Sequence, residues 1–307
     1  MRENKMEEKI LLDTDIGDDI DDAYALGLLL AEKANLIGIT TVYRNSIQRA
    51  KIAGKILQLF HRRIPVYAGE DIPKKQPLFR FECSDQGKKA VVPHYISAEM
   101  AGVTFRRGAV DFILRTLEKF PNRITLLAIG PLTNLARAYE KDPDAFRLAK
   151  KIMLMGGNYS EKEAEWNILC DPEAAERVFS SGVPITAVGI DVTRNCTFDD
   201  AMLAFLRNLN EERFRLLVRM TEIWIRQNRE KNQPPTMHDP LTAEALLFPS
   251  LLQYRYGNFK VETEGSLRGV TLPDSRGVKI KYAVQANYGE FFNRIRKLFG
   301  KEENHDG

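Results

Sequence analysis

The sequence is poor in the residues that mark secreted, zinc-binding and membrane-spanning proteins. It has 3 cysteines, Cys83, Cys170 and Cys196, without CxxC spacing, and 4 histidines without an HExxH pattern. These patterns argue against a disulfide framework and against a zinc site. No stretch reaches about 18 uncharged apolar residues, so we expect no membrane partner. The first residues, MRENKMEEKI, lack the apolar segment of a signal peptide, and we expect a cytoplasmic protein with reduced thiols.

A large excess of one charge is also missing. The chain has 45 basic and 42 acidic residues among 307, with a net charge of +3. Such a balance argues against a basic surface that binds nucleic acid over the whole protein. The GxSxG motif of serine hydrolases and the GxxxxGK[ST] phosphate loop are absent from the sequence. At 44% hydrophobic residues, the composition still supports a globular core.

Short apolar runs alternate with helical periodicity through the first two-thirds of the chain. The predicted strands are 9–12, 36–43, 64–69, 123–129, 151–155 and 183–190, and the predicted helices are 22–33, 46–60, 105–120, 131–142 and 171–182. This alternation is typical of a parallel sheet that helices cover on both faces. We therefore predict an α/β fold with a mostly parallel central sheet and a Rossmann-like core.

The last third of the sequence has a different character. Residues 198–230 predict extra helices, and 259–287 predict a small antiparallel β element with Gly and Pro turns. Shorter helices are predicted at 240–248 and 288–299. Residues 70–103 show no periodicity and predict a long loop, which in a folded domain is usually functional. We expect one domain over 1–307, with frayed ends at 1–8 and 300–307.

The most unusual segment is LLDTDIGDDIDDAYAL (11–26), in which six aspartates fall within ten positions after an apolar run. At ~4 Å and an effective dielectric of ~20, each pair of like charges costs roughly 4 kcal/mol. Asp13 and Asp15 follow the first strand, where ligands bind in open parallel sheets. Asp21 and Asp22 begin the next helix, whose dipole stabilises an acidic residue by only ~0.3–1 kcal/mol. The run therefore indicates a divalent cation with oxygen ligands, Ca²⁺ or Mg²⁺.

Two known acidic motifs can be tested against this run. An EF-hand loop that begins at Asp13 requires an acidic or amide side chain at position 5 and Glu at position 12. The sequence has Gly17 and Tyr24 there, so the EF-hand fails. The DTDIG segment resembles the Asp-x-Asp start of haloacid-dehalogenase-like phosphatases, which use Mg²⁺, except that Gly17 replaces a β-branched residue. This phosphatase remains an alternative.

A broader resemblance covers residues 11 to 246. LLDTDIGDDIDDAYAL resembles the N-terminal signature of the nucleoside hydrolases of the inosine-uridine preferring type. Five further segments are similar to this family's signatures, and they occur in the family's order: ITTVYRN (39–45), LAIGPLTNLA (127–136), IMLMGGNY (152–159), EWNILCDPEAA (165–175) and HDPLTAEAL (238–246). The resemblance implies a Ca²⁺-dependent enzyme that hydrolyses the N-glycosidic bond of a small nucleoside to free base and ribose. It also implies a homodimer or homotetramer.

The resemblance assigns roles to individual residues. Asp15 would bind the metal and act as the general base, and His238 would protonate the leaving base. The implied metal ligands are Asp15, Asp22, Asp239 and the carbonyl of Ile129. The implied sugar contacts are Asp21, Asn45, Met155, Glu165, Trp166 and Asn167. Three residues lie between Gly17 and Asp21, two more than in the shorter form of the family motif. Asp18 or Asp19 could therefore replace an assigned aspartate.

Several departures leave the substrate open. Arg44 stands where a small glycine is common in the family. Residues 82–95 lack the His-Gly pair of many relatives, and this segment contacts the base in the family. The base preference therefore cannot be read from the sequence. A non-catalytic member of the fold that binds a ribosyl ligand is the alternative from a different functional class.

Overall fold

A mostly parallel sheet forms the centre of the protein in the computed structural model, which describes residues 8–75, 92–209, 211–228 and 234–300. The strands are β1 (Lys9–Thr14), β2 (Leu36–Thr41), β3 (Val66–Ala68), β4 (Arg106–Arg107), β5 (Ile124–Ala128), β6 (Lys151–Met155), β7 (Ile185–Val188), β8 (Leu252–Val261), β9 (Thr271–Pro273) and β10 (Val278–Ala286). The helices are α1 (Asp21–Ala31), α2 (Ser46–Leu59), α3 (Ala109–Lys119), α4 (Thr133–Lys141), α5 (Pro143–Phe146), α6 (Trp166–Cys170), α7 (Pro172–Phe179), α8 (Ile190–Thr193), α9 (Asp200–Arg207), α10 (Glu212–Gln227), α11 (His238–Leu247) and α12 (Tyr288–Phe299).

Among the described residues the strands form one 10-stranded sheet in the order β4-β3-β2-β1-β5-β6-β7-β10-β8-β9. Every neighbouring pair from β4 to β10 is parallel, while β8 is antiparallel to β10 and β9 is antiparallel to β8. The α/β class, the mostly parallel sheet and the small antiparallel group are thus confirmed. The antiparallel strands continue the main sheet because β10 pairs with β7.

The central strands are apolar on both faces because helices cover both sides of the sheet. Along β1, Ile10 and Leu12 pack into one hydrophobic cluster, and Leu11 packs into the other. A strand buried on both faces has a continuous apolar sequence instead of an alternating one. This burial explains why three apolar residues in a row, Ile10, Leu11 and Leu12, directly precede the aspartates.

Local features explain where the elements differ from the predictions. The predicted helix 105–120 begins only at Ala109, because Arg106 and Arg107 pair with β3 and Gly108 has a φ of 85°. Helices α5, α6 and α8 were not predicted, since each has at most five residues and cannot show a full helical period. No helix or strand falls in 70–75 or 92–103, as predicted, while 76–91 lies outside the described residues.

The described helices include none that combines the length and apolarity needed to cross a membrane. Cys170 and Cys196 are buried thiols, whereas Cys83 and the ends 1–7 and 301–307 lie outside the described residues. The expectation of a single domain over 1–307 stays a prediction.

Candidate active site

A cavity of about 480 Å³ lies at the carboxyl ends of the parallel strands. Its wall is built from the segments that follow β1, β5 and β6, and from the first turns of α1 and α11. This is where open α/β sheets bind ligands, and the volume suits a small molecule. The predicted site residues that line the cavity are Asp15, Asp21, Asp22, Ile129, Met155, Glu165, Trp166, Asn167, His238 and Asp239.

The loop after β1 brings the first carboxylates into the cavity. The Thr14 hydroxyl donates a hydrogen bond to the Asp22 carboxylate, and the Ile16 N–H donates to the Thr14 oxygen at 3.1 Å. Gly17 turns the chain with a φ of 118°, and a Cβ there would lie 2.3 Å from a methyl carbon of Val92. Glycine is therefore required at this turn, both for its φ and for space.

The tightest group of carboxylates forms where two helix N-termini meet. Helix α1 packs against α11, and Asp21, Asp22 and Asp239 all lie in first turns. One ligand oxygen from each of the three lies within 4.8 Å of the others. The Asp239 N–H donates to Asp21 Oδ2 at 3.1 Å. The family resemblance assigns Asp15, Asp22 and Asp239 to the metal; two of them belong to this group, whose third member is Asp21, and Asp15 lines the same cavity.

Burial makes these carboxyls resist ionisation. Burial and mutual repulsion raise the pKa of Asp21, Asp22 and Asp239 well above the usual value. Burial also raises the pKa of Asp15 to about 7, although the Arg49 guanidinium favours its ionised form. A hard divalent cation compensates such repulsion because carboxylate oxygens are its preferred ligands.

The other three aspartates of the run have partners of their own. Asp13 Oδ1 accepts hydrogen bonds from Thr40 at 2.5 Å and from the Asn134 amide at 2.8 Å, which fixes it beneath the site. Asp18 accepts from two arginines through Oδ2. Asp19 is exposed and accepts from the Ile20 N–H at 2.7 Å. These contacts explain how one short segment accommodates six acidic residues.

The opposite wall is fixed by buried polar side chains. The Asn167 amide donates to the carbonyls of Ile129 and Met155, each at 3.2 Å, and so joins the ends of β5 and β6. Glu165 caps α6, because Oε1 accepts from the Asn167 N–H at 2.9 Å and Oε2 from the Ile168 N–H at 3.1 Å. Oε2 also accepts from the Gly157 N–H at 3.0 Å, in the segment after β6. Burial raises the pKa of Glu165 to about 7. Trp166 follows with 40% of its surface exposed.

His238 lies at the start of α11, beside Asp239. Its Nδ1 is 2.6 Å from the Thr193 hydroxyl oxygen, which comes from α8. Burial and the charge of Arg194 lower the pKa of His238 to about 4. The imidazole is therefore neutral at pH 7.

One predicted sugar contact lies outside the cavity lining. The Asn45 side chain accepts a hydrogen bond from the Gln48 N–H at 3.2 Å and caps α2. Sequence reasoning also missed five lining residues: Arg44, Pro93, Ile190, Trp224 and Asn228. Trp224 lies in the last turn of α10 and Asn228 is the C-cap of that helix, four residues later, a spacing that places both on one side of the helix end. The spacing indicates that the two side chains lie close together, but an amphipathic helix contains many such pairs, so the spacing alone does not identify the pair that lines a cavity.

Gly130 leaves the space that Asp15 occupies. A Cβ at Gly130 would lie 2.7 Å from Asp15 Oδ1 and 2.9 Å from its backbone nitrogen. We expect Gly130→Ala to displace the carboxylate, costing about 1–3 kcal/mol of stability and lowering kcat roughly 100-fold. Thermal unfolding and initial rates measure the two effects. In the control Gly289→Ala the nearest atom would be 3.8 Å away, and its kcat should be unchanged; a native kcat in Gly130→Ala would contradict the prediction.

Comparison with known proteins identifies what the chain is similar to. The family model described as "Inosine-uridine preferring nucleoside hydrolase" matches residues 10–293. Uridine nucleosidase 1 of Arabidopsis thaliana is 32% identical over 290 residues, covering 89% of this chain and 83% of that protein. The inosine-uridine preferring nucleoside hydrolase of Crithidia fasciculata is 28% identical and covers 94% of this chain and 96% of that protein. The solved purine-preferring ribonucleoside hydrolase of Gardnerella vaginalis superposes with a TM-score of 0.83 at 28% identity, covering 95% of this chain and 98% of that one.

Proposed function

The chain belongs to the nucleoside hydrolase family, and from that premise we propose how its cavity performs the reaction. It is a hydrolase of the N-glycosidic bond of ribonucleosides and releases free base and ribose. The phosphatase alternative is excluded, since the family match extends over residues 10–293 and not only over the aspartate run.

We propose Ca²⁺ as the metal ion. The observation that carries this proposal is the convergence of Asp21, Asp22 and Asp239, whose oxygens lie within 4.8 Å of one another at two helix N-termini. The three converging donors are carboxylate oxygens, and Asp15 and Ile129 line the same cavity with further oxygens; Ca²⁺ accepts six to eight oxygen ligands. When bound, such an ion lowers the pKa of a water molecule and orients the hydroxyls of the sugar.

Asp15 is the proposed general base. Its carboxylate lines the same cavity as Asp21, Asp22 and Asp239, so it can accept a proton from water held there. Cleavage of a glycosidic bond develops positive charge on the sugar ring. The surrounding carboxylates stabilise that charge because they are fixed in place before the reaction begins.

The remaining polar residues are proposed to hold the ribose. Asp21 accepts from the 2′-hydroxyl, and Asn167 has its amide nitrogen engaged by two carbonyls, so its oxygen is the atom that faces a hydroxyl. Glu165 adds a buried carboxyl, and Met155 and Trp166 supply apolar surface. Asn45 keeps its proposed sugar contact only if the substrate reaches the start of α2.

His238 is proposed to assist departure of the base. With Thr193 as the donor to Nδ1, the neutral imidazole has its proton on Nε2. From there the neutral ring donates a hydrogen bond to a base nitrogen as the bond breaks. Transfer of a proton to the base requires the imidazolium form, in which Nδ1–H donates to Thr193 and the proton on Nε2 passes to the base, leaving neutral imidazole. The low pKa of His238 makes that imidazolium a strong acid.

We also propose a cytoplasmic location and a homo-oligomeric assembly. The buried thiols of Cys170 and Cys196 are compatible with the reducing cytoplasm. A homodimer or homotetramer, the assembly expected from the family resemblance, stays a prediction.

Free ribose release from a panel of purine and pyrimidine ribonucleosides tests this function. We expect release with at least one base, at a rate that added phosphate does not change, because water and not phosphate is the nucleophile. A rate that requires phosphate would make the enzyme a phosphorylase. No release from any nucleoside, in protein that still binds Ca²⁺, would favour the non-catalytic ribosyl-binding alternative.

A further inference from the structure

Arg49 is a fully buried cation at the edge of the acidic site. It lies on α2 with 0% of its surface exposed. Its Nε donates to the Tyr43 carbonyl at 2.8 Å, its Nη1 to the Ile16 carbonyl at 3.1 Å, and its Nη2 to Asp18 Oδ2 at 2.8 Å. One side chain thus ties the loop after β1, which carries Asp15, to the loop after β2.

Asp18 provides the opposite charge for this arginine. Its Oδ2 accepts from Arg49 and also from Arg44 Nη1 at 2.7 Å. Burial opposes ionisation of Asp18, but the two guanidinium groups hold its pKa below the usual value. Asp18 lies in the segment between Gly17 and Asp21 that is two residues longer than the shorter form of the motif.

The charge of Arg49 also reaches the carboxylates of the proposed metal site. Its Nη1 contacts the carbonyl of Ile16, the residue directly after Asp15, and its Nη2 contacts Asp18; both Asp15 and Asp18 line the cavity. A cation near the site competes with a metal ion for the same carboxylates and repels it, unless another anion neutralises that cation. Asp18 is the anion in direct contact with Arg49, and we have assigned it no role in the reaction.

We propose that Asp18 and Arg49 form a positioning pair for the metal site. Arg49 fixes the two loops, and Asp18 neutralises Arg49 so that the acidic cluster stays available to a divalent cation. The proposal rests on the metal site of the proposed function and adds two residues to it: Asp18, which lines the same cavity, and Arg49, which contacts Asp18.

Calcium titration by calorimetry of chelator-stripped protein tests the charge balance. Asp18→Asn keeps the shape of the side chain but removes its charge, so we expect the Ca²⁺ Kd to rise roughly 10- to 100-fold, as for other residues behind metal ligands. The double variant Asp18→Asn with Arg49→Gln also removes the cation and should bind Ca²⁺ more tightly than Asp18→Asn alone. A residue with only a structural role would not produce this reversal.

Arg49→Lys separates positioning from charge. Lysine keeps the positive charge but cannot make the three directed hydrogen bonds of the guanidinium group. We expect kcat to fall at saturating Ca²⁺, while the Kd for Ca²⁺ changes less than in Asp18→Asn. The control Glu173→Gln breaks another tight pair, in which Arg268 contacts Glu173 at 2.7 Å outside the cavity. Its Kd for Ca²⁺ should equal that of the unaltered protein.

Distinct results would overturn distinct claims. An Asp18→Asn protein with an unchanged Kd, or a double variant that binds no more tightly, would overturn the pairing proposal while the metal site stands. A lower melting temperature without a change in Kd would reduce the pair to a structural role and overturn it too. Absence of Ca²⁺ binding by the unaltered protein would overturn the metal site and this proposal together.

Discussion

Replacing Asp15 by asparagine should lower kcat for ribonucleoside hydrolysis by roughly 10²- to 10⁴-fold, the usual contribution of a positioned base. Asparagine has nearly the same shape as aspartate and cannot accept a proton from water at neutral pH. KM should change far less than kcat if Asp15 acts mainly in the transition state. Initial rates of ribose release over a range of nucleoside concentrations separate the two parameters.

Asp13→Asn is a matched control for this experiment. Asp13 lies two residues earlier, is equally buried, and has its pKa raised by burial to about 7, but it does not line the cavity. Asparagine can keep accepting from Thr40 and Asn134 through its oxygen. We therefore expect this variant to retain most of its activity. Equal losses in the two variants would show that any buried carboxyl of this segment matters, and Asp15 would no longer be the assigned base.

The general location of the site follows from the sequence because it depends on neighbours along the chain. Apolar residues directly before Asp13 predict a buried strand, and Asp21 and Asp22 before an apolar helical segment predict a helix N-terminus. Asp239 joins them because it also lies in the first turn of a helix, α11. Helix starts and strand ends are local signals, so their convergence at one edge of a parallel sheet could be predicted.

The individual roles within the aspartate run could not be predicted in the same way. Asp18 differs from Asp21 because Arg44 and Arg49, which lie 26 and 31 positions further along the chain, both donate to its carboxylate. Asn45 is polar at the end of a family signature, but its oxygen caps α2. Trp224 and Asn228 lie at the end of α10, which carries no sequence motif, and only the packing of that helix brings them to the cavity. Side-chain partners distant in sequence decide such cases, and a linear pattern does not encode them.

Removing the metal should abolish ribose release and also lower the melting temperature. At Ca²⁺ concentrations about 100 times the Kd, binding stabilises the folded state by about 2.7 kcal/mol, which for a domain of this size is roughly 4 °C. Chelation followed by thermal unfolding measures this difference. Restoring activity with Ca²⁺ but not with Mg²⁺ would support the proposed identity of the ion, and full activity in chelator would exclude a metal requirement.

The stabilisation by Ca²⁺ should grow as the pH rises. Without the ion, the raised pKa values of Asp21, Asp22 and Asp239 mean that the folded protein holds protons that the unfolded chain has released. Their contribution to stability is therefore complete below the ordinary aspartate pKa of about 4 and is lost as the pH rises through the raised values. Because Ca²⁺ replaces those protons, the gain in melting temperature should be larger at pH 8 than at pH 5.

Asp239→Asn should change the stability in opposite directions with and without calcium. In chelator the variant loses one repelling carboxylate from the cluster, so its melting temperature at pH 8 should equal or exceed that of the unaltered protein. The increase in melting temperature on adding Ca²⁺ should largely disappear in this variant, because a ligand with a full negative charge is missing. In the control Asp199→Asn, which replaces the N-cap of α9 by an equally good cap, the gain should persist. If Ca²⁺ raised the melting temperature of Asp239→Asn as much as that of the unaltered protein, Asp239 would not be a metal ligand. If the variant had a lower melting temperature than the unaltered protein in chelator, Asp239 would be a structural residue of α11.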